Sequence, residues 1–263
     1  MKRVVALALG MAVLAACSSS NTQADHSGSP AGGTKDLTVF AASSLTGAFT
    51  KIGKDFETAN PGVHVVFNFG PSDGLAHTIE SEGGADVFAS ASPTWMDEVS
   101  AKVGVAQRHD FAQNRLVVIT PLSDPAAITA LHDLATPGVQ LVLAAPGVPV
   151  GDYARQVLHN AGIGAGAEAN VVSNEQDDAA LVTKVTSGEA DAAVVYASDV
   201  TDQIAPFVRV ISIPDAVNVI TTYPIAAVVG GSQPSIAASF VNYVIGGGQA
   251  TLKTFGFLPP PSP

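Results

Sequence analysis

Cysteine is all but missing from this chain: Cys17 is the single one among 263 residues. No internal disulfide can form, and no cysteine-based metal cluster can be built. Cationic side chains are scarce too, with 12 lysines and arginines against 23 aspartates and glutamates and a formal charge of −11. An acidic body of this kind repels nucleic acid and anionic lipid surfaces, which argues against both as partners of the folded part. The six histidines (His26, His64, His77, His109, His132 and His159) form no H-E-x-x-H pair and no other ligand spacing. EF-hand loops, P-loops and a G-x-G-x-x-G after the first strand are also missing, which removes the usual metal and nucleotide signatures. A run long enough to cross a bilayer is lacking at the N-terminus. Val4 to Ala16 is apolar for 13 residues, short of the roughly 20 that a spanning helix needs.

That run has instead the form of an export signal. Lys2 and Arg3 precede it, and the small residues Ala15 and Ala16 follow as a cleavage site requires. Leu14-Ala15-Ala16-Cys17 resembles the bacterial lipobox, in which the signal is cut and the cysteine lipidated. Residues 1–16 are therefore expected to be a signal peptide, and Cys17 a lipid anchor to the cell membrane on its extracytoplasmic side. Stable anchoring takes more than one acyl chain. From 18 to 35 the chain is built of Ser, Asn, Thr, Gly, Pro and Ala with almost no bulky apolar side chain. Such a segment cannot bury enough surface to fold and reads as a tether with a reach of roughly 20–25 Å. Without Lys2 and Arg3 the formal charge falls to −13.

The body from Asp36 onward alternates two patterns. Leu37–Phe40, Val63–Phe67, Val87–Ala89, Leu116–Ile119, Leu141–Ala144, Ala192–Tyr196 and Ile225–Val229 are short apolar runs with β-branched content, as buried strands require. Leu45, Ala48, Phe49, Ile52 and Phe56 recur at helical spacing, as do Ala154, Val157, Leu158 and Ala161. A further helix is expected after Glu175, Asp177 and Asp178, whose charges suit the positive end of a helix dipole. The alternation predicts an α/β fold with largely parallel sheets. Pro121–Pro125 and Thr221–Pro224 read as connections. If both cross between lobes, the middle of the chain forms one lobe and the two outer parts the other.

Three strand-to-helix junctions offer donors. They are Ala41-Ala42-Ser43-Ser44-Leu45-Thr46, Gly70-Pro71-Ser72-Asp73-Gly74 and Val148-Pro149-Val150-Gly151-Asp152. Ligands of open α/β sheets sit at the carboxyl ends of strands, where free N–H groups at helix starts hold anions. Serine before a helix is also an ordinary cap worth about 1 kcal/mol. The second junction matches G-x-S-x-G, the nucleophile elbow of α/β-hydrolases. An enzyme reading would make Ser72 the nucleophile, with Asp124 or Asp133 and His159 as its partners. No histidine follows His159, where such an enzyme ordinarily keeps its base.

Several segments taken together carry a resemblance. These are Val39–Thr46, Ala85–Ala91 with Trp95-Met96-Asp97, Pro146–Ala154, Gly188–Asp191 leading to Val195–Asp199, Tyr223-Pro224-Ile225, and Phe240–Phe257. Their order resembles that of the periplasmic molybdate-binding proteins that feed ABC importers, over nearly the whole body. The resemblance implies a two-lobed periplasmic-binding-protein fold of type II, with a ligand cleft between lobes joined by crossing strands. Lobe 1 would be 36–118 plus 225–263, and lobe 2 would be 119–224. It implies a monomeric carrier, not an enzyme and without cofactor, that binds molybdate or tungstate and docks on a membrane permease. Sulfate or phosphate would be the alternative oxyanions. The implied anion contacts are Ser44, Ser72, Val150, Asp177 and Tyr196, with Ser43 able to replace Ser44. Molybdenum would be held as its oxyanion, with no protein atom bonded to the metal. Hydroxyl and N–H donors suit a ligand that only accepts hydrogen bonds. Asp177 departs from the apolar residue usual there: its carboxylate either caps its own helix or takes a proton from the ligand.

Overall fold

The structure, a computed structural model, describes residues 34–124 and 126–262. The expected signal (1–16), Cys17 and the expected tether up to residue 33 lie outside the described residues. Lys35, the last residue assigned to the tether, belongs instead to the fold. It opens β1 (Lys35–Ala42), and its N–H donates to the Gly62 carbonyl at 2.9 Å.

After β1 come α1 (Thr46–Ala59), β2 (Val63–Gly70), α2 (Ser72–Glu82), β3 (Val87–Ala89), α3 (Pro93–Lys102) and β4 (Val105–Pro121). The middle of the chain holds β5 (Leu141–Ala144), α4 (Pro149–Asn160), α5 (Gly164–Glu168), β6 (Val171–Glu175), α6 (Asp178–Thr186), β7 (Ala192–Tyr196) and β8 (Val208–Ser212). Then β9 (Ile220–Val228), α7 (Pro234–Ile245) and α8 (Gln249–Thr254) close it. The strands run in the order β2-β1-β3-β9-β4-β7-β5-β6, with β8 beside β4.

The sheet is mixed, which corrects the expectation of largely parallel strands. β1 pairs in parallel with β2 and β3, and β5 does so with β6 and β7. Every pairing of β4 and β9 is antiparallel. These two strands join the parallel groups. β4 runs beside β9 as far as Arg115, opposite Ile220, and from Leu116 onward pairs with β7 and β8. Its first half escaped the hydropathy pattern because Gln107, Arg108, His109 and Asp110 are exposed. Thr221–Pro224 likewise proves to be strand, not connection. Pro224 lies beside a shift in the β4 register, and its carbonyl accepts from the Ser90 N–H at 2.9 Å, so the missing proline donor costs the ladder little. β6 and β8 carry exposed or half-exposed residues and gave no continuous apolar run to read.

Aromatic rings fill the core around β1, β2 and α7. Phe49 packs on Phe111 (5.7 Å between centroids), and Phe56 meets Phe240 edge-on at 5.2 Å. Around β5 and β7 the filling is aliphatic: Val117, Ile119, Leu141, Leu143, Val157 and Val194. Burying side chains of this size contributes about 1.5–3 kcal/mol each. The consequence for function is that β1, β2, β5, β6 and β7 are fixed with their carboxyl ends, and the helices that follow them, converging on one place.

Among the described residues no helix is long and apolar enough to cross a membrane.

Candidate functional site

All six residues expected at the site, Ser43, Ser44, Ser72, Val150, Asp177 and Tyr196, line a single cavity of about 20 Å³. A space of that size admits a compact group of a few atoms. Asp178, Gly70 and Pro149 share the wall, and among the described residues no lysine, arginine or histidine does. The first turns of α2, α4 and α6 face it together. Each has N–H groups without an intrahelical acceptor and contributes roughly half a positive charge.

Ser44 lies in the tight turn Ser43–Leu45 that follows β1, and it is buried. Its Oγ is 3.0 Å from the Tyr223 hydroxyl, which accepts from Asn114 Nδ2 at 3.4 Å. Tyr223 can therefore give its proton to Ser44, which frees the serine O–H for the cavity. Ser72 is the first residue of α2 and is 1 % exposed. Its Oγ accepts from the Ala91 N–H at 3.0 Å, so its own proton is also free to be donated. Ser43 is half-buried, and its carbonyl accepts from Thr46 Oγ1.

Val150 is held by backbone packing. Proline at the start of α4 fixes the entry to the helix, and Gly151 lets the first turn press on the end of β5. A Cβ at Gly151 would stand 2.4 Å from the Ala144 carbonyl oxygen. This contact leaves the Val150 N–H at the cavity wall with no helical carbonyl to reach.

Tyr196 ends β7 and is 1 % exposed, and among the described residues no protein atom satisfies its hydroxyl. Burial holds its pKa well above 10, and the nearby Tyr223, Tyr153, Asp178 and Asp199 add to the shift. The phenol thus keeps its proton at neutral pH and stays a donor. Its buried, unpaired donor is the strongest indication of a ligand in the molecule.

Asp177 caps α6: its carboxylate accepts from the Ala180 N–H at 2.8 Å. The side chain is spent on its own helix, the first of the two arrangements considered from sequence. The neighbour Asp178 was named in the sequence only as a favourable charge on the helix dipole, and its place in the wall was missed. Asp178, Leu181, Val182 and Val185 form the buried stripe of α6, so helical spacing already set Asp178 in phase with the core. Burial pushes its carboxyl up to about 7, with the Asp177 charge adding to the effect. Tyr223 stands in the segment Tyr223-Pro224-Ile225, where the sequence indicates no role for its hydroxyl.

No catalytic triad is assembled around Ser72. Asp124 accepts from the Ile128 N–H and pairs with Arg209, while Asp133 caps its own turn through Thr129 and Ala130. His159 sits in the last turn of α4, roughly 13 Å along that helix from Val150 at 1.5 Å per residue. The described residues offer one cluster of possible metal ligands, His77, Glu80 and Glu98, away from the cavity. The Lys102 ammonium fills it, at 2.8 Å from Glu80 and 2.5 Å from Glu98.

Residues 37–258 match the family model described as bacterial extracellular solute-binding protein. The chain is 38 % identical to the molybdate-binding protein ModA of Mycobacterium tuberculosis over 256 residues, 96 % of this chain and 95 % of that one. Among solved structures, it is similar to the periplasmic molybdate-binding protein of Azotobacter vinelandii, with a TM-score of 0.75 at 20 % identity, covering 86 % of this chain and all of that one. A substrate-binding domain assigned to a molybdenum ABC transporter of Clostridium difficile gives a TM-score of 0.65 at 26 % identity, covering 85 % and 98 %.

Proposed function

We propose that this chain, which belongs to the family of bacterial extracellular solute-binding proteins, captures molybdate outside the cytoplasm and delivers it to the permease of an ABC importer. The observation that carries this reading is the wall of the cavity. It joins three helix starts, two serines with protons to donate and the unpaired Tyr196 hydroxyl, with no cationic side chain among the described residues. A tetrahedral dianion offers acceptors alone, and hydrogen bonds to a charged group are roughly twice as strong as neutral ones. Preorganised donors of this kind supply the attraction that the acidic surface lacks. The anion contacts are Ser44, Ser72, Tyr196 and the backbone N–H groups at Val150 and Asp177, with Ser43 at the rim. Tungstate, of closely similar size and equal charge, fits the same donors.

The parts of the sheet on either side of β4 and β9 act as two lobes, divided near 118/119 and 224/225, that close over the anion. Trp95 on α3 supports this closure, since its Nε1 donates to the Gly147 carbonyl on the far side of the cavity mouth at 3.1 Å. Cys17 carries the lipid that keeps a monomeric carrier near its permease. Calorimetric titration of residues 34–263 with molybdate, tungstate, sulfate and phosphate tests the reading. Strong heat with the first two is expected. Silence with all four would sink the oxyanion assignment, and preference for sulfate or phosphate would change the ligand while keeping the class. Loss of membrane retention in Cys17→Ala tests the anchor.

A further inference from the structure

We propose that the Asp178 carboxyl is a further contact of the cavity that enters it as a proton donor, so that each bound dianion takes up one proton from solvent. The proposal rests on the oxyanion reading above. Asp178 is the first residue of α6, is 5 % exposed, and lines both the small cavity and the larger space behind it. Its own backbone partner is the Ala179 N–H at 3.0 Å.

The groups facing it are Asp177 from its own helix, Asp199 from the turn after β7, Tyr196 from β7, Tyr223 from β9 and the Ser44 hydroxyl from the turn after β1. All are acids, phenols or hydroxyls, and among the described residues no lysine, arginine or histidine lines either space. An ionised carboxylate in this wall would meet the anion with like charge and with acceptors against acceptors. Adding a proton removes the charge and turns one acceptor into a donor. Burial brings the carboxyl up to about 7 against the pull of hydrogen bonds from its own and the Ala179 N–H and from the Ser44 hydroxyl, and an arriving dianion shifts it further up. Asp199 is also raised, first by burial and then by Asp178. It lies outside the small cavity, and its carboxylate accepts from the Tyr196 N–H at 2.8 Å, which favours its ionised form.

The sign follows from linkage. A group whose pKa rises on binding favours the complex at low pH. Affinity is therefore level below about 7 and falls about tenfold per pH unit above it, until the pKa of the complex is reached. The test is calorimetric titration of the full chain in mild detergent with sodium molybdate at pH 6, 7, 8 and 9, in buffers of different ionisation enthalpy. Uptake approaching one proton per anion at pH 8 is expected, together with the tenfold slope. Both should vanish in Asp178→Asn, whose amide donates without titrating, and persist in Asp199→Asn. Tight binding with no proton uptake in the unaltered chain overturns the proposal, whether or not the variants fold. So does a slope kept by Asp178→Asn or lost in Asp199→Asn alone. Phosphate bound at pH 8 more tightly than molybdate and without proton uptake would make Asp178 an acceptor of the phosphate's own proton, and it too overturns the donor role. Absence of heat with molybdate and tungstate at every pH removes the oxyanion reading itself, and this one with it.

Discussion

Replacing Tyr196 by phenylalanine removes one oxygen and should move binding and stability in different directions. In the free protein the hydroxyl is fully buried and no described protein atom pairs with it. Its loss costs no protein hydrogen bond, and relief of an unpaired buried group is worth up to about 1 kcal/mol. For a body of this size that corresponds to a melting temperature unchanged or raised by about 2–4 °C. The complex, by contrast, loses a hydrogen bond to a charged group, worth about 1.5–3 kcal/mol, or roughly 10- to 150-fold in affinity. Scanning calorimetry with and without saturating molybdate reads both effects. The anion-induced rise in stability should shrink by the same 1.5–3 kcal/mol at fixed ligand concentration. Tyr223→Phe is the internal control, since that hydroxyl is bonded to Ser44 and Asn114, and its removal should cost the free protein about 1 kcal/mol. A Tyr196→Phe protein that binds as tightly as the original, or whose ligand-free form loses more than about 1 kcal/mol, would refute the reasoning.

Ser44→Ala and Ser72→Ala should each weaken molybdate binding by about 1.5–3 kcal/mol in titration. The second should also lower stability by about 1 kcal/mol, because the Ala91 N–H loses its acceptor. Gly151→Ala forces a Cβ against the Ala144 and Ala145 carbonyls. A loss of about 1–3 kcal/mol in denaturant unfolding is expected, together with weaker binding as Val150 shifts; unchanged unfolding would show that α4 can move aside. Trp95 is the one tryptophan of the chain, so anion binding should change its emission; constant emission through a calorimetrically complete titration would count against closure at Gly147. For stability, the raised pKa of Asp178 means that the folded state holds a proton which the unfolded state releases above the ordinary 3.8. Its contribution is full below that value and is lost as pH rises through about 7. The ligand-free protein should therefore unfold more easily at pH 8 than at pH 5, by a few kcal/mol at most, and Asp178→Asn should reduce the slope, leaving the part that the raised Asp199 contributes.

What the sequence by itself determined is what depends on composition and on short-range period. The α/β class follows from alternating apolar runs and helical stripes. Exclusion of disulfides follows from Cys17 standing alone, and the donor junctions from serines and free N–H groups at helix starts. Ser44, Ser72, Val150, Asp177 and Tyr196 as one set came only from the family resemblance, and the fold brings them to one cavity. Pattern reading failed where tertiary contacts outweigh local preference. The first half of β4 and Thr221–Pro224 are strand because they pair with each other, a long-range contact that no hydropathy window contains. Tertiary structure alone decided how the protons are arranged. Tyr223, from the far end of the chain, orients the Ser44 hydroxyl across 179 residues of sequence. Asp177 turns back to cap α6, and the adjacent Asp178, one residue further round the helix, is carried into the cavity wall. A step of one residue turns a helix by about 100°, which separates a half-buried cap from a buried acid, and only the packing of α6 against the sheet fixes how each of the two carboxyls lies in the cavity wall.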